Sequence, residues 1–204
     1  MKKILIGVWH PSVILTYAGL AFTIWGIVTA LSGNFSHAFL FLVLAGVCDM
    51  FDGGVARLFD RTDTEKEFGI QIDSLVDVCS FVLFPVCLLF CICGDYKAAC
   101  IPALIYAIAG VARLAWFNII THESQDFFFG LPVTCSSMLL PVVFLINTFS
   151  GVSESIQRLV WCGSYILLAI LFVLNFKTKK PGIVFRLVMF LMAIGLIAAL
   201  IFAV

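Results

Sequence analysis

Two short stretches of this chain carry acids where acids are costly. The first reads Asp49-Met50-Phe51-Asp52-Gly53-Gly54-Val55-Ala56-Arg57, and the second reads Gly69-Ile70-Gln71-Ile72-Asp73-Ser74-Leu75-Val76-Asp77. On a helix of 3.6 residues per turn, positions 49, 52, 53, 56 and 57 share one face, and Gly69, Asp73 and Asp77 fall on one stripe. Each stretch adjoins a long apolar run, so these carboxylates sit at the edge of a low-dielectric region. Four carboxylates converging there repel one another unless cations offset them. Oxygen-only ligation suits a hard divalent ion, so Asp49, Asp52, Asp73 and Asp77 are expected to hold one or two Mg²⁺ or Mn²⁺ ions. Gly53, Ala56 and Gly69 leave space beside the acids for a ligand to approach the backbone. A metal-bound diphosphate with its nucleotide fits such a groove, and Arg57 can pair with phosphate. The alternative, a structural pairing with Arg57, leaves too little positive charge for four acids. Asp60, Asp63, Glu65 and Glu67 read instead as a solvated loop between the two stretches.

The elements that must position these residues are set by composition. Hydrophobic residues make up 63% of the 204 positions and charged residues 12%, about half the roughly 25% usual in a soluble domain. Mean hydropathy is +1.15. The bilayer is therefore the expected solvent. At about 20 apolar residues per span, the length allows about six or seven helices and no separate soluble domain. The expected fold is all-α, a polytopic integral membrane protein with a single domain over 1–204. Apolar segments run over 13–31, 36–58, 69–93, 97–120, 131–149, 158–176 and 182–203. Met1-Lys2-Lys3 and the run behind it read as the first membrane helix rather than a cleaved leader, because the run is long enough to span. Eight cysteines lie mostly inside apolar runs without C-x-x-C or paired histidine spacing, which favours buried thiols over disulfides or zinc.

Twelve basic residues balance twelve acidic ones, which argues against a nucleic-acid surface. The basic residues are not evenly placed. With the N-terminus cytoplasmic, the inner side collects Lys2, Lys3, Arg57, Arg61, Lys66, Arg113, Lys177, Lys179, Lys180 and Arg186, leaving Lys97 and Arg158 outside. That orientation puts the four aspartates at the cytoplasmic face of the cell membrane.

Written as a pattern, the acidic stretches are D-x-x-D-G-x-x-A-R, eleven intervening positions, then G-x-x-x-D-x-x-x-D. This resembles the signature of the CDP-alcohol phosphotransferase family. Further stretches look like its phosphatidylserine synthase branch: Asp73-Ser74-Leu75 with Asp77 and Ser80-Phe81, then Ala112-Arg113-Leu114-Ala115 leading to Phe117-Asn118. Phe129-Gly130-Leu131-Pro132 comes next, and Gly163-Ser164-Tyr165 precedes the basic stretch at 177–180. The resemblance covers roughly 12–181, with 182–203 as an additional C-terminal helix. It implies a metal-dependent enzyme that transfers a phosphatidyl group from CDP-diacylglycerol to a small alcohol, releasing CMP. By the family pattern Asp49, Asp52 and Asp73 are metal ligands, and Asp77 is a ligand and the catalytic base. Asp49, Asp52, Gly53, Ala56, Arg57 and Gly69 line the nucleotide site. L-Serine is the expected acceptor and phosphatidylserine the product, with inositol phosphate or glycerol phosphate as alternative acceptors. Homodimers are a further implication of the resemblance.

Arg113 falls in the cytoplasmic half of its helix, where it either binds the acceptor's carboxylate or pairs with a site aspartate. Asn118 and Ser74 are weaker candidates for the acceptor side, and Thr16 for polar lining. His10, His37 and His122 read as interfacial, and Phe127, Phe128 and Phe129 as an interfacial anchor or a gate. An ion or proton transporter is the competing class, because intramembrane acids also mark ion pathways. Transport predicts broken helices or repeats at the midplane, whereas these acids gather toward one face.

Overall fold

The structure is a computed structural model, and it describes residues 7–120, 127–175, 177–179 and 183–202. Lys2, Lys3, His122 and Lys180 lie outside the described residues, as do the side chains of Phe127–Phe129, Lys177, Lys179 and Arg186.

Among the described residues helices form nearly all of the scaffold. A short 3₁₀ turn, Pro11–Val13, leads into α1 (Ile14–Leu31), and α2 comes after it as Phe35–Ala56. Pro11 starts the first turn without needing a donor. Asn34 caps α2 by accepting the His37 N–H at 3.2 Å, the usual way a helix start satisfies its free amides. The third span is one long helical run, α3 (Asp63–Asp77), a wide turn at Val78–Leu83, and α4 (Phe84–Cys93). Gly94 closes α4 in the left-handed conformation at φ +63°, which a residue with a side chain seldom adopts. Then come α5 (Tyr96–Ile120), α6 (Ser136–Ser150), α7 (Glu154–Val173) and α8 (Ile183–Phe202). Among the described residues six helices are long and apolar enough to cross a membrane, and the chain is an integral membrane protein. The seventh expected span is shorter in its described apolar part, Leu187–Phe202, and packs against α2 and α6.

The solvated loop expected over Asp60–Glu67 is corrected by the structure. Helix α3 starts at Asp63, because Thr62 and Glu65 form a capping box. The Thr62 N–H donates to Glu65 Oε2 at 2.8 Å, and the Glu65 N–H donates to Thr62 Oγ1 at 3.3 Å. Two free amides are satisfied reciprocally, and the helix begins about two turns before the apolar run. A second difference lies between α5 and α6. Phe127–Phe129 (β1) pairs antiparallel with Lys177–Lys179 (β2), with Phe128 opposite Thr178. Beside it the Leu131 N–H donates to Leu171 O at 3.0 Å, so the α5–α6 connection is fastened to the end of α7.

The core lies along α2, α4, α5 and α7. Phe39 stacks on Phe144 at 4.7 Å and on Trp161 at 5.7 Å between ring centres. Tyr106 and Tyr165 are fully buried beside Phe172. Helices approach closely through small residues: Gly26 of α1 faces Phe84 of α4, and Gly46 of α2 faces Ser137 at the start of α6, with no room for a Cβ at either. Ile101, Leu104 and Ile108 on α5 and Leu159 and Leu167 on α7 stay exposed, as lipid-facing residues do.

Candidate active site

Asp49, Asp52, Gly53 and Ala56 all lie in the last two turns of α2, with Arg57 as its C-cap. Gly69, Asp73 and Asp77 lie along α3. The early start of α3 matters here. Asp73 and Asp77 come ten and fourteen residues after the start of α3 rather than in its fraying first turn, so helical spacing keeps them on one face.

One carboxylate oxygen from each of Asp49, Asp52 and Asp73 lies within 4.8 Å of the other two. The carboxyl group of Asp77 lies beside that of Asp49, and that of Asp52 beside that of Asp73. All four sequence-predicted acids therefore meet in one place. Asp52 is 9% exposed and Asp77 8%, so neither can rely on water to stabilise its charge. From α1 the Thr16 hydroxyl donates to Asp52 Oδ2 at 3.2 Å. Among the described residues no ion pair ties Arg57 or Arg113 to any of these aspartates. A structural pairing of the acids with arginine is thus not what assembles them.

Two cavities flank the cluster, each of about 370 Å³. The first is bounded by the four aspartates, Gly53 and Arg57 on one side, and by Arg113, Phe117, Pro132, Thr134, Ser137 and Met189 on the other. The second runs toward α1 and the start of α3, along Ser12, Thr16, Ala56, Arg61, Lys66 and Gly69. Asp52, Gly53, Arg57 and Asp73 line both. A Cβ placed on Gly53 meets nothing within 4 Å, and one on Gly69 comes no nearer than 3.5 Å to Arg61 Nη1. These two glycines are open to the cavities, unlike Gly26 and Gly46.

Arg113 is 6% exposed, and its Nε has no hydrogen-bond partner among the described residues. Its guanidinium lies 5.3 Å from the centre of the Phe117 ring. A buried guanidinium with an unmet donor at a cavity wall is suited to an anionic ligand. Ser74 and Asn118 are placed differently. The Asn118 amide donates to Ser74 Oγ at 2.8 Å and the Ser74 hydroxyl donates to Asn118 Oδ1 at 3.1 Å, which joins α3 to α5 outside the lining of either cavity.

Charge patterning alone places Arg61 and Lys66 in a loop. Arg61 is indeed in the link before α3, but the capping box puts Lys66 inside the helix, on the same stripe as Gly69, Ile70 and Asp73. Ser12, Ser137 and Met189 on the cavity walls carry no sequence signal. The donor set as a whole is carboxylate oxygen, half-buried or buried, clustered within coordination reach and without a cationic side chain to offset it. That set fits a hard divalent cation.

The geometry agrees with what the chain is similar to. The profile of a family described as CDP-alcohol phosphatidyltransferase matches residues 9–203. The CDP-diacylglycerol--serine O-phosphatidyltransferase of Helicobacter pylori is 31% identical over 151 residues, covering 72% of this chain and 62% of that protein. The protein of the same name from Methanocaldococcus jannaschii is 34% identical over 120 residues, 58% of this chain and 55% of that protein. An archaetidylserine synthase of Methanothermobacter thermautotrophicus is 30% identical over 132 residues, 63% and 55% respectively. The chain thus spans 55% to 62% of the length of these curated relatives. It belongs to the CDP-alcohol phosphatidyltransferase family.

Proposed function

We propose that this family member transfers the phosphatidyl group of CDP-diacylglycerol to the hydroxyl of L-serine, giving phosphatidylserine and CMP. The observation that carries the reading is the meeting of Asp49, Asp52 and Asp73 within 4.8 Å, with Asp77 beside them and open glycines on both sides. The names borne by the three relatives support serine as the acceptor. Asp49, Asp52, Asp73 and Asp77 would hold one or two Mg²⁺ or Mn²⁺ ions, which when bound neutralise a diphosphate and make its phosphorus open to attack.

The chain's own residues do the rest. Thr16 holds the Asp52 carboxylate in one orientation. Gly53, Ala56 and Gly69 leave the groove free for the nucleotide, and Arg57, at the junction of the two cavities, pairs with phosphate. Serine's hydroxyl is a weak nucleophile at neutral pH. Asp77 accepts its proton as the oxygen attacks the lipid-side phosphorus, and the bond to CMP breaks. Arg113, on the opposite wall of the first cavity, takes the serine carboxylate. A single buried cation on that wall suits a single carboxylate better than a phosphorylated acceptor, which favours serine over inositol phosphate or glycerol phosphate.

The cluster stands at the end of the bundle that also carries Arg57, Arg61, Lys66 and Arg113, with Lys97 and Arg158 toward the other end. By the charge bias of membrane proteins that end is cytoplasmic, within reach of inner-leaflet headgroups. An ion transporter is disfavoured because the acids are gathered near one end rather than at a midplane crossing. The deciding experiment incubates the purified protein with CDP-diacylglycerol and separate acceptors, and measures CMP release. Release driven by serine above all others is expected. Release driven equally by glycerol phosphate or inositol phosphate would reject the serine assignment, and no release with any acceptor would reject the reaction.

A further inference from the structure

The span that carries Asp73 and Asp77 is not one regular helix. Immediately after Asp77 the backbone opens into the wide turn Val78–Leu83, in which the Phe84 N–H reaches back five residues to Cys79 O. Such a turn holds one residue more than an α-turn and rotates the helix before it relative to the helix after it, at about 100° per residue. The cause is legible at Pro85. Proline has no N–H, so the carbonyl of Phe81, four residues earlier, lacks its ordinary helical donor. An unmet carbonyl in a membrane core costs several kcal/mol on general grounds, and here other helices meet it. The Tyr106 hydroxyl, from α5, donates to Phe81 O at 2.7 Å, and the Ser136 hydroxyl, from α6, donates to it far more weakly at 3.5 Å. One turn on, the Tyr165 hydroxyl, from α7, donates to Pro85 O at 2.6 Å. On the opposite flank the Thr23 hydroxyl of α1 and the Ser80 hydroxyl share a hydrogen bond of 2.6 Å. Tyr106, Tyr165, Thr23 and Ser80 are at most 1% exposed, so water supplies none of these bonds.

We propose that Tyr106 is a positioning residue for the aspartate cluster: by holding the Phe81 carbonyl it keeps the turn wide, and the wide turn sets the angle at which Asp73 and Asp77 face Asp49 and Asp52. If the turn closed to an ordinary α-turn, the helix before it would rotate by about one residue's 100° relative to α4. Asp73 and Asp77 would then leave the stripe that meets α2. Tyr165 makes the same kind of bond on the far side of Pro85, where it holds α4 rather than the turn, and it serves as the internal control. The inference rests on the proposed reading of the aspartates as cation ligands, and cation binding is a readout separate from turnover.

The test uses full-length protein in detergent micelles, titrated with Mn²⁺ and monitored by the electron paramagnetic resonance signal of the free ion, with CMP release measured in parallel. Tyr106→Phe is expected to weaken Mn²⁺ affinity about tenfold and to lower kcat, as loss of an outer-sphere support does. Tyr165→Phe loses a comparable buried bond and thermal stability, yet keeps Mn²⁺ affinity within about twofold of wild type. Equal loss of affinity in the two variants, or no loss in Tyr106→Phe, would overturn the proposal. Should Tyr106→Phe fail to fold, Pro85→Ala gives a second route. It returns an N–H to the Phe81 carbonyl, so helix stability is kept while the turn is free to close. The same loss of Mn²⁺ affinity is expected, and unchanged affinity in a stable Pro85→Ala protein overturns the assignment. Wild-type protein that binds Mn²⁺ but releases no CMP refutes the proposed reaction and leaves this inference standing. Wild-type protein that binds no Mn²⁺ ends both.

Discussion

Thr16 donates its hydroxyl to Asp52 Oδ2 at 3.2 Å across the packing of α1 against α2, with Thr16 6% and Asp52 9% exposed. Helix α1 contributes no carboxylate, yet this bond makes it part of the site. It uses one lone pair of Asp52 and leaves the others directed at Asp73 and the cavities. Thr16→Val keeps the shape and removes the donor, and is expected to cost about tenfold in turnover. Thr16→Ser retains the donor and most of the activity. Wild-type rates of CMP release from Thr16→Val would show that Asp52 is held by something else.

The carboxylate cluster predicts a strict need for divalent cations. Excess EDTA is expected to stop CMP release, and added Mn²⁺ or Mg²⁺ to restore it, because a diphosphate approaching four uncompensated aspartates is repelled. Activity that persists through chelation would break the link between the cluster and the chemistry. Since the donors are all oxygen, Zn²⁺ is expected to be a poorer substitute than Mn²⁺.

Asp77 is the later of the two aspartates on α3, at its last residue, and lies beside Asp49. That placement suits the proton acceptor. Asp77→Asn keeps the size and removes the proposed base, so turnover is expected to fall by about 10²- to 10⁴-fold. Binding of CDP-diacylglycerol, read by isothermal titration, remains measurable because Asp49, Asp52 and Asp73 are intact. Turnover within a few-fold of wild type would assign the proton transfer to another group.

The acids are legible in the sequence because their constraint is local. Spacings of three and four residues put Asp49 with Asp52, and Asp73 with Asp77, on single helix faces whatever the rest of the fold does. The pairing of the two faces comes from the short link between the helices. Features that depend on residues far apart in the chain stay hidden. Ser74 and Asn118, 44 positions apart, are separate acceptor candidates in the sequence and prove to be each other's hydrogen-bond partners. Tyr106 looks like one more core aromatic, since nothing local says that its hydroxyl meets the carbonyl orphaned by Pro85. The start of α3 is obscured for a different reason. Its capping box is present as Thr62 and Glu65, but the density of charge around it resembles a loop. The β1–β2 ribbon is three residues on each side, too short for any periodicity to announce.

Two glycines seven residues apart on α2 separate packing from binding. A Cβ on Gly46 collides with the Ser137 side chain, whereas one on Gly53 meets nothing within 4 Å and enters the cavity. Gly46→Ala is therefore expected to destabilise the fold by about 1–3 kcal/mol, the usual range for overpacking. Gly53→Val is expected to leave thermal stability near wild type. It should raise KM for CDP-diacylglycerol by on the order of tenfold, equivalent to about 1.4 kcal/mol of lost binding. Thermal unfolding and steady-state kinetics on both proteins check the contrast. Gly53→Val with an unchanged KM would mean that the nucleotide does not pass over that face of α2.

On the proposed reading, Arg113 recognises the acceptor by its carboxylate. The side chain is buried at 6% exposure, lies over Phe117 at 5.3 Å and keeps an unmet Nε. Hydrogen bonds to a charged group are worth about 1.5–3 kcal/mol. Loss of such a bond therefore predicts a roughly 10- to 100-fold rise in KM for serine in Arg113→Gln, with a smaller change in kcat. Arg113→Lys keeps the charge but loses the planar fork, and recovers only part of the affinity. The sharper readout compares serine with ethanolamine, which offers the same hydroxyl and amine without the carboxylate. Wild-type protein is expected to prefer serine strongly, and that preference should collapse in Arg113→Gln because only serine loses a contact. If both acceptors weaken by the same factor, Arg113 supports the pocket without reading the carboxylate. The selectivity must then come from another wall of the first cavity.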